Sequence, residues 1–352
     1  MRAELCSVSL TNDESAVRII DQTLLPSELK YIELKTPEEL YEAICSLRVR
    51  GAPAIGVFAA YALYVLTLHS KARDGGSLLK EIEKNARHLS SSRPTAVNLS
   101  RQLDRMTAAA ISCADLSVSA ILNRLRSEAA AIHNEDITIC AAISEHGLSL
   151  VKNGDGILTH CNAGSLAASR YGTALGPILL GAERGVRFRV WCDETRPLLQ
   201  GARLTSFELI SAGVDTTLIC DDMAAFVMAS GKIDACFVGC DRMAINGDAA
   251  NKIGTLGIAV LARHFGIPFY VFCPSTTIDP SCISGADIAI EMRHEQELRS
   301  LYYEKPMVPD GVKCFNPAFD ITPGELITAI VTEQAVIRPP YAKSLNDIIR
   351  GK

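Results

Sequence analysis

Two residues far apart in the chain have the side chains that acid–base chemistry needs. Cys161 stands in THCNAGS (159–165), and Asp241 stands in VGCDRMAINGD (238–248). Each follows a short apolar run, GILTH before Cys161 and DACFV before the Gly239-Cys240-Asp241 turn. A thiol and a carboxyl that face one pocket can divide proton transfer between them as base and acid. A carboxyl that donates near neutral pH needs a raised pKa, which a dry pocket provides. Cys161 is expected to face a helix N-terminus, which lowers a thiol's pKa, and Gly164 and Ser165 at that helix start could hold one phosphate. A metal site is not expected here. His160 and Cys161 are adjacent, and adjacent side chains of an extended strand point to opposite faces.

Four more residues suit an anion. Arg50 precedes Gly51-Ala52-Pro53 at the start of an apolar helix over 54–69, whose first backbone amides can face a negative charge. Arg93 lies in SSRPTAVN (91–98), a second loop opening a helix. Asn251 and Lys252 precede the apolar pattern IGTLGIAVLARHF (253–265). Arg50, Arg93, Asn251 and Lys252 form a plausible clamp for a phosphate. Plainer readings stand beside each of these. The Asp241 loop can be a capped turn with Asp241 or Asn246 bonded to backbone, and Arg50 can be an exposed residue of a tight turn. A structural thiol is the ordinary reading of a cysteine and is accepted for eleven of the twelve. From the residues alone, the chain reads as an acid–base enzyme for a small phosphorylated metabolite, working without cofactor.

Two domains are expected to position these groups, over residues 1–150 and 151–352. The first begins with short strands in SAVRIIDQTLLP and LKYIELK. Thr36-Pro37-Glu38-Glu39 then starts a helix, with threonine as N-cap, proline in the first turn and two acids behind it. Helical patterns follow over 76–91, 97–112 and 116–151. From about residue 155, short apolar runs alternate with helix patterns, the sign of a parallel sheet covered on both faces. Six strands are expected: GILTH, FRVWC, TTLIC, DACFV, FYVFC and DIAIE. In open α/β sheets, ligands bind beyond the carboxyl ends of the strands. Polar, chemically capable residues crowd those ends here. Helix caps alone explain one Ser, Asp or Asn per helix, not a thiol, several acids, three arginines and a lysine. The fold class is α/β, a Rossmann-like parallel-sheet domain following a smaller domain of short strands and helices.

Composition narrows the class. Net charge is -5 without a basic block, which argues against a nucleic-acid binder. The cysteines include no CxxC pair and fit neither a zinc ribbon nor a disulfide framework, so they are expected to be reduced in a cytoplasmic protein. MRAELCSVSLTNDES lacks a signal-peptide core. APAIGVFAAYALYVLTL (52–68) falls short of the roughly 20 residues that span a bilayer and reads as a buried helix. No GxGxxG follows the first strand and no GxxxxGK[ST] occurs, so dinucleotide and Walker loops are absent.

Seven strings carry a resemblance: RGAPAIG (50–56), THCNAGSLA (159–167), YGTALG (171–176), DETRPLLQGARLTSFEL (193–209), GCDRMAINGDAANKIGT (239–255), HFGIPFYV (264–271) and NPAFDITPGELITAIVTE (316–333). Together they resemble the S-methyl-5-thioribose-1-phosphate isomerase family, from about residue 20 to 340. The wider family includes 5-deoxyribose-1-phosphate and ribose-1,5-bisphosphate isomerases and regulatory subunits of a translation-initiation exchange factor. The resemblance implies an aldose–ketose isomerase, with Asp241 as the acid on the ring oxygen and Cys161 as its partner near the C1–C2 bond. It implies substrate binding by Arg50, Gly51, Ala52, Arg93, Gln200, Asn251 and Lys252, no metal and no cofactor, and a homodimer. Three departures concern the sugar's C5 substituent, methylthio or methyl: Met292 in IEMRHEQEL (290–298), Arg170 in ASRYGTALG, and the segment LYYEKPMVPDGVKC (301–314). No extra basic cluster marks a second phosphate. Cys161 and Asp241 both in place argue against a non-catalytic subunit.

Overall fold

The computed structural model describes residues 5–94 and 96–350. The first four residues of the N-terminal stretch and Thr95 of the Arg93 loop lie outside them. The chain divides into two compact units. One runs to Cys140 and includes Ser165–Gly172; the other comprises Ala141–Gly164 and everything from Thr173 on.

The first unit opens with three short antiparallel strands, β1 (Val8–Leu10), β2 (Val17–Ile20) and β3 (Tyr31–Leu34). Helix α1 (Pro37–Cys45) starts as its residues dictate. The Thr36 hydroxyl accepts from the Glu39 N–H, and the Glu39 carboxylate accepts from the Thr36 N–H, at 3.2 and 3.0 Å. Helix α2 (Ala52–Leu68) is the apolar segment, and 14 of its residues are buried, so it is the axis of this unit's core. Helices α3 (Gly75–Ser91), α4 (Val97–Ile111) and α5 (Val118–Leu148, whose last turns belong to the second unit) are amphipathic and set their apolar faces into that core. No described helix is long and apolar enough to cross a membrane.

The second unit contains β4 (Gly156–His160), α6 (Gly176–Glu183), β5 (Arg189–Asp193), α7 (Ser206–Ala212), β6 (Asp215–Ile219), α8 (Ala224–Ala229), β7 (Ala235–Val238), β8 (Arg242–Met243), β9 (Ala249–Lys252), α9 (Thr255–Phe265), β10 (Phe269–Phe272), α10 (Gln296–Arg299), β11 (Phe319–Thr322), β12 (Ala329–Val331), β13 (Val336–Ile337) and α11 (Tyr341–Ile349). Seven strands form one sheet in the order β13-β12-β10-β7-β4-β5-β6, parallel except for β13. Every residue of β4, β7 and β10 is buried, as strands covered on both faces require.

Five of the six expected strands are in this sheet. DIAIE is not. Asp287 and Ala289 are exposed there and only Ile288 is buried, so the segment lacks the two apolar faces of a central strand. Its last residue instead accepts, through the Glu291 carbonyl, from the Ala318 N–H at 2.8 Å. The sixth parallel strand is β12. A second sheet, β11-β9-β8, was not anticipated; it is built from the stretch read as a loop around Asn251.

Removing the Thr36 hydroxyl by Thr36→Ala should cost about 1 kcal/mol, read as a shift of the urea midpoint at unchanged slope.

Candidate active site

The parallel sheet changes winding direction at β4. From it β5 and β6 run one way, and β7, β10 and β12 the other. This is the crevice where open α/β sheets bind ligands. His160 lies opposite Val238 in the β4–β7 ladder, so the chain leaves the sheet side by side into Cys161 and into Gly239-Cys240-Asp241. The two loops meet: a Cβ on Gly239 would stand 2.9 Å from the Ala163 Cβ.

Cys161 has φ +65°, a left-handed conformation that costs a non-glycine residue energy. Two hydroxyls hold it there. Its N–H donates to Thr195 Oγ1 at 2.8 Å, and its carbonyl accepts from Thr205 Oγ1 at 2.6 Å. Thr195, itself at φ +66°, is fixed by its N–H to Asp221 Oδ1 at 2.7 Å. Asn162 donates to Glu208 Oε1 and Thr205 Oγ1 at 2.6 and 3.2 Å. No helix begins at Gly164; the next is α6 at Gly176. The expected helix N-terminus beside Cys161 is therefore absent. Gly164 serves close packing instead, since a Cβ there would stand 2.5 Å from the Glu208 carboxylate. Cys161 is half-buried, whereas burial pushes the Cys192 and Cys236 thiols far up and makes them inert. None of the twelve cysteines, all among the described residues, is in a disulfide.

Asp241 is exposed, so the dry pocket expected around it is not formed by the chain itself. Its N–H donates to the Ala250 carbonyl at 2.9 Å. The β8–β9 hairpin pairs Arg242 with Ala250, and continuing that register sets Asp241 opposite Asn251. Lys252, the next residue, is buried; its ammonium donates to the Ala318 carbonyl at 2.9 Å and lies 4.5 Å over the Phe319 ring. Asn251 donates to Thr255 Oγ1 at 3.0 Å. Arg242 pairs with Asp279 at 3.7 Å. The capped-turn reading holds for Asn246, whose Oδ1 accepts from the Asp248 N–H at 3.0 Å. The Asp248 carboxylate accepts from the Gly324 and Gly285 N–H groups at 2.8 and 2.9 Å and from the Asn246 amide.

Gln200 ends the tight connection after β5. It is buried, and its Oε1 has no hydrogen-bond partner among the described residues. A buried amide oxygen left so is costly unless something binds it. The segment around Tyr302 and Tyr303, one of the departures, grips this same connection. Arg203 donates to Tyr302 Oη at 2.7 Å, and the Arg196 guanidinium stands 5.5 Å over the Tyr303 ring. Met292 is exposed and forms an isolated bridge with Pro317.

The second unit thus brings together Cys161, Gln200, Asp241, Asn251 and Lys252. Arg50, Gly51, Ala52 and Arg93 belong to the first unit. There the Arg50 Nε donates to Gln22 Oε1 at 3.3 Å. Gly51, at φ +99°, packs so closely that a Cβ would stand 2.4 Å from the Ala167 carbonyl oxygen. Pro53 has no N–H and the Ala54 N–H is taken by Ala167 O at 3.1 Å, so Gly51 and Ala52 supply the amides this helix start can offer an anion. Arg170 lines a cleft of the first unit with Cys6 and His133.

Thr195 and Thr205, which hold the Cys161 backbone, are positions the sequence reading missed. Their signal was a threonine on either side of a strand-end loop, too common to single out. His160, Asp193 and Asp221 were noticed only as neighbours. Three of their side-chain ligand atoms lie within 4.8 Å of one another. The Asp221 carboxylate is occupied by the Thr195 and Arg196 N–H groups, and His160 is bonded to Asp193, so the group is a hydrogen-bonded cluster rather than a metal cage.

The model of the family described as "Initiation factor 2 subunit family" matches residues 48–339. The chain is 56% identical to methylthioribose-1-phosphate isomerase of Symbiobacterium thermophilum, over 100% of this chain and 98% of that one. It is 54% identical to 5-deoxyribose 1-phosphate isomerase of Petrotoga mobilis, over 97% of this chain and 98% of that one. Among solved structures it is similar to 5-methylthioribose 1-phosphate isomerase of Pyrococcus horikoshii, with a TM-score of 0.93 at 40% identity, covering 99% of this chain and 96% of that one.

Gly201 rests on the strand end itself: a Cβ there would stand 1.7 Å from the Asp193 carbonyl oxygen. Gly201→Ala should lower the melting temperature by several degrees. Gly257, inside α9, has nothing within 4 Å of a Cβ, and Gly257→Ala should stabilise by up to about 1 kcal/mol. Equal melting temperatures for the two variants would refute the close packing at Gly201.

Proposed function

The chain belongs to the Initiation factor 2 subunit family, and we propose that within it the protein is an aldose–ketose isomerase converting S-methyl-5-thioribose 1-phosphate to S-methyl-5-thioribulose 1-phosphate, a step of methionine salvage. The observation that carries this reading is the placement of Cys161 and Asp241 on adjacent strand ends at the point where the sheet changes direction.

The chemistry follows from the substrate. Its hemiacetal carbon carries the phosphate, so the ring cannot open as a free sugar does. Asp241 gives a proton to the ring oxygen as the C1–O bond breaks. Hydrogen moves from C2 to C1, and Cys161 takes the proton that leaves as the C2 carbonyl forms. A hydride shift and a proton shuttle through a phosphoenolate use these same two groups. The atoms and electrons balance within the sugar, so no external oxidant or reductant takes part. Because Asp241 is exposed in the chain, the bound sugar must itself exclude water from it.

Gln200 is assigned to a sugar hydroxyl, which would satisfy its buried Oε1. Asn251 and Lys252 lie beside Asp241 and are assigned to the substrate's polar end. Arg50, Gly51, Ala52 and Arg93 are included as substrate-binding groups, on their residue types and the family resemblance. A cytoplasmic homodimer is part of the same proposal.

A second reading has its own support. The Petrotoga relative is named for 5-deoxyribose 1-phosphate, and the 301–314 segment that departs from the common pattern holds the Gln200 connection. Conversion of 5-deoxyribose 1-phosphate to 5-deoxyribulose 1-phosphate, alone or beside the first activity, is that reading. A tenfold difference in kcat/KM between the two sugars, about 1.4 kcal/mol, names the substrate.

Asp241→Asn and Cys161→Ser should each lower kcat by about 1000-fold or more, with circular dichroism unchanged. Substantial turnover by either variant would remove that residue from the chemistry. Arg93→Ala should raise KM more than it lowers kcat. Purified protein inactive on every pentose 1-phosphate would favour a non-catalytic, exchange-factor-like subunit instead.

A further inference from the structure

His160 has both ring nitrogens engaged and is 1% exposed. Nδ1 is 3.0 Å from Asp193 Oδ2, and Nε2 is 2.8 Å from the Ile253 carbonyl oxygen. The Cε1–Nε2 edge of the ring packs close to Gly254, where a Cβ would stand 2.8 Å from Cε1. One imidazole therefore joins three strand-end connections. It directly precedes Cys161. Through Asp193 it fixes the β5 end, on which Gly201 and hence Gln200 rest. Through Ile253 it fixes the turn that follows Asn251 and Lys252.

Both partners are oxygens, so the proton count is determined. A carbonyl only accepts, so Nε2 carries hydrogen. A second proton must then lie on the line between Nδ1 and Asp193 Oδ2, or two lone pairs would face each other in a buried space. The other carboxyl oxygen of Asp193 is buried and has no partner among the described residues, an arrangement that disfavours a full negative charge there.

We propose that His160 is a positioning residue, and that it and Asp193 hold one shared proton at neutral pH to lock the Cys161, Gln200 and Asn251-Lys252 connections into one geometry. Neither group donates to or accepts from substrate. Burial is consistent with this, since it pushes the Asp193 carboxyl up to about 6, and the neighbouring Asp193 and Asp221 carboxylates raise His160 against its own burial. The charged and titratable groups around the pair are Asp221 and Glu194 beyond β5, the Cys192 and Cys236 thiols, and Asp320 of β11, whose carboxylate caps the α9 start by accepting from the Gly254 and Leu256 N–H groups. Both members of the pair are raised above their ordinary values. The stability from the shared proton is thus present at neutral pH and below, and is lost as pH rises through the raised His160 value, above the ordinary imidazole range.

The test rests on the isomerase reading for one readout only. Asn at 193 can donate from its amide to His160 Nδ1, imitating the protonated pair, and Leu cannot. Asp193→Asn should keep at least about a third of the wild-type kcat/KM, and Asp193→Leu should lose about 30-fold or more, a 2 kcal/mol difference in transition-state stabilisation being about that size. Independently of any substrate, ¹⁵N spectra of the imidazole should show Nε2 protonated in wild type and in Asp193→Asn alike. Melting temperature should also fall more between pH 6 and 9 in wild type than in Asp193→Asn. If Asp193→Asn is as inactive as Asp193→Leu while it melts like wild type, a carboxylate is required and the positioning role is overturned. An unprotonated Nε2 in wild type overturns it whatever the enzyme's substrate. Wild-type protein inactive on pentose 1-phosphates sinks the isomerase reading and leaves the spectra and melting curves to decide this one.

Discussion

Strand β4 is buried along its whole length, and its last two residues, Thr159 and His160, are polar. Burying a polar group without a partner costs more than a hydrogen bond returns. The end of this strand can therefore exist only where its neighbours supply acceptors at fixed places. β5 supplies Asp193, and the turn after β9 supplies the Ile253 carbonyl. The next residue, Cys161, can take its left-handed conformation only because Thr195 and Thr205 hold both its backbone groups. The geometry of the site is thus a consequence of satisfying one strand end. It does not depend on the long side chains that a ligand meets.

That distinction sorts the polar residues at the sheet's carboxyl edge. Asp221, Asp248, Glu208 and Asp320 accept from backbone N–H groups or from an amide, and so build the loops. Gln200 is different, because its Oε1 is buried and unmatched among the described residues. Lys252 is different again. Its buried ammonium donates to the Ala318 carbonyl and lies over the Phe319 ring, so its position is set by the β11 strand start. Scaffold and contact residues share the same types, which is why composition at the strand ends pointed to a site without separating the two.

Helices and buried parallel strands were legible because their evidence is local. Thr36-Pro37 with Glu39 writes a helix start, and the uninterrupted apolar runs of β4, β7 and β10 write central strands. The β11-β9-β8 sheet was not legible. Its strands are 2–4 residues long, and β11 lies more than sixty residues from β9, so nothing in either stretch announces the partner. DIAIE has strand composition, but composition does not reveal that Asp287 and Ala289 face solvent. Cys161 and Asp241 were legible as a pair through residue type and resemblance. The means of holding Cys161 was not, because it comes from threonines 34 and 44 residues away in sequence.

The same reasoning bears on substrate choice. Under the proposed function, the ring chemistry would fall to Cys161 and Asp241, whose backbone is fixed by the β4 end and by the β8–β9 hairpin. Those constraints are indifferent to whether C5 carries sulfur. The 301–314 segment is attached differently, by Arg203 on Tyr302 and Arg196 on Tyr303, contacts between side chains on the surface of the β5 connection. Such contacts are worth little individually and can be exchanged without disturbing a buried strand end. A fold that holds its strand ends through buried backbone contacts and the 301–314 segment through exchangeable aromatic–arginine contacts leaves that segment free to vary without disturbing the strand ends. Relatives at 56% and 54% identity to this chain are named for two different pentose phosphates.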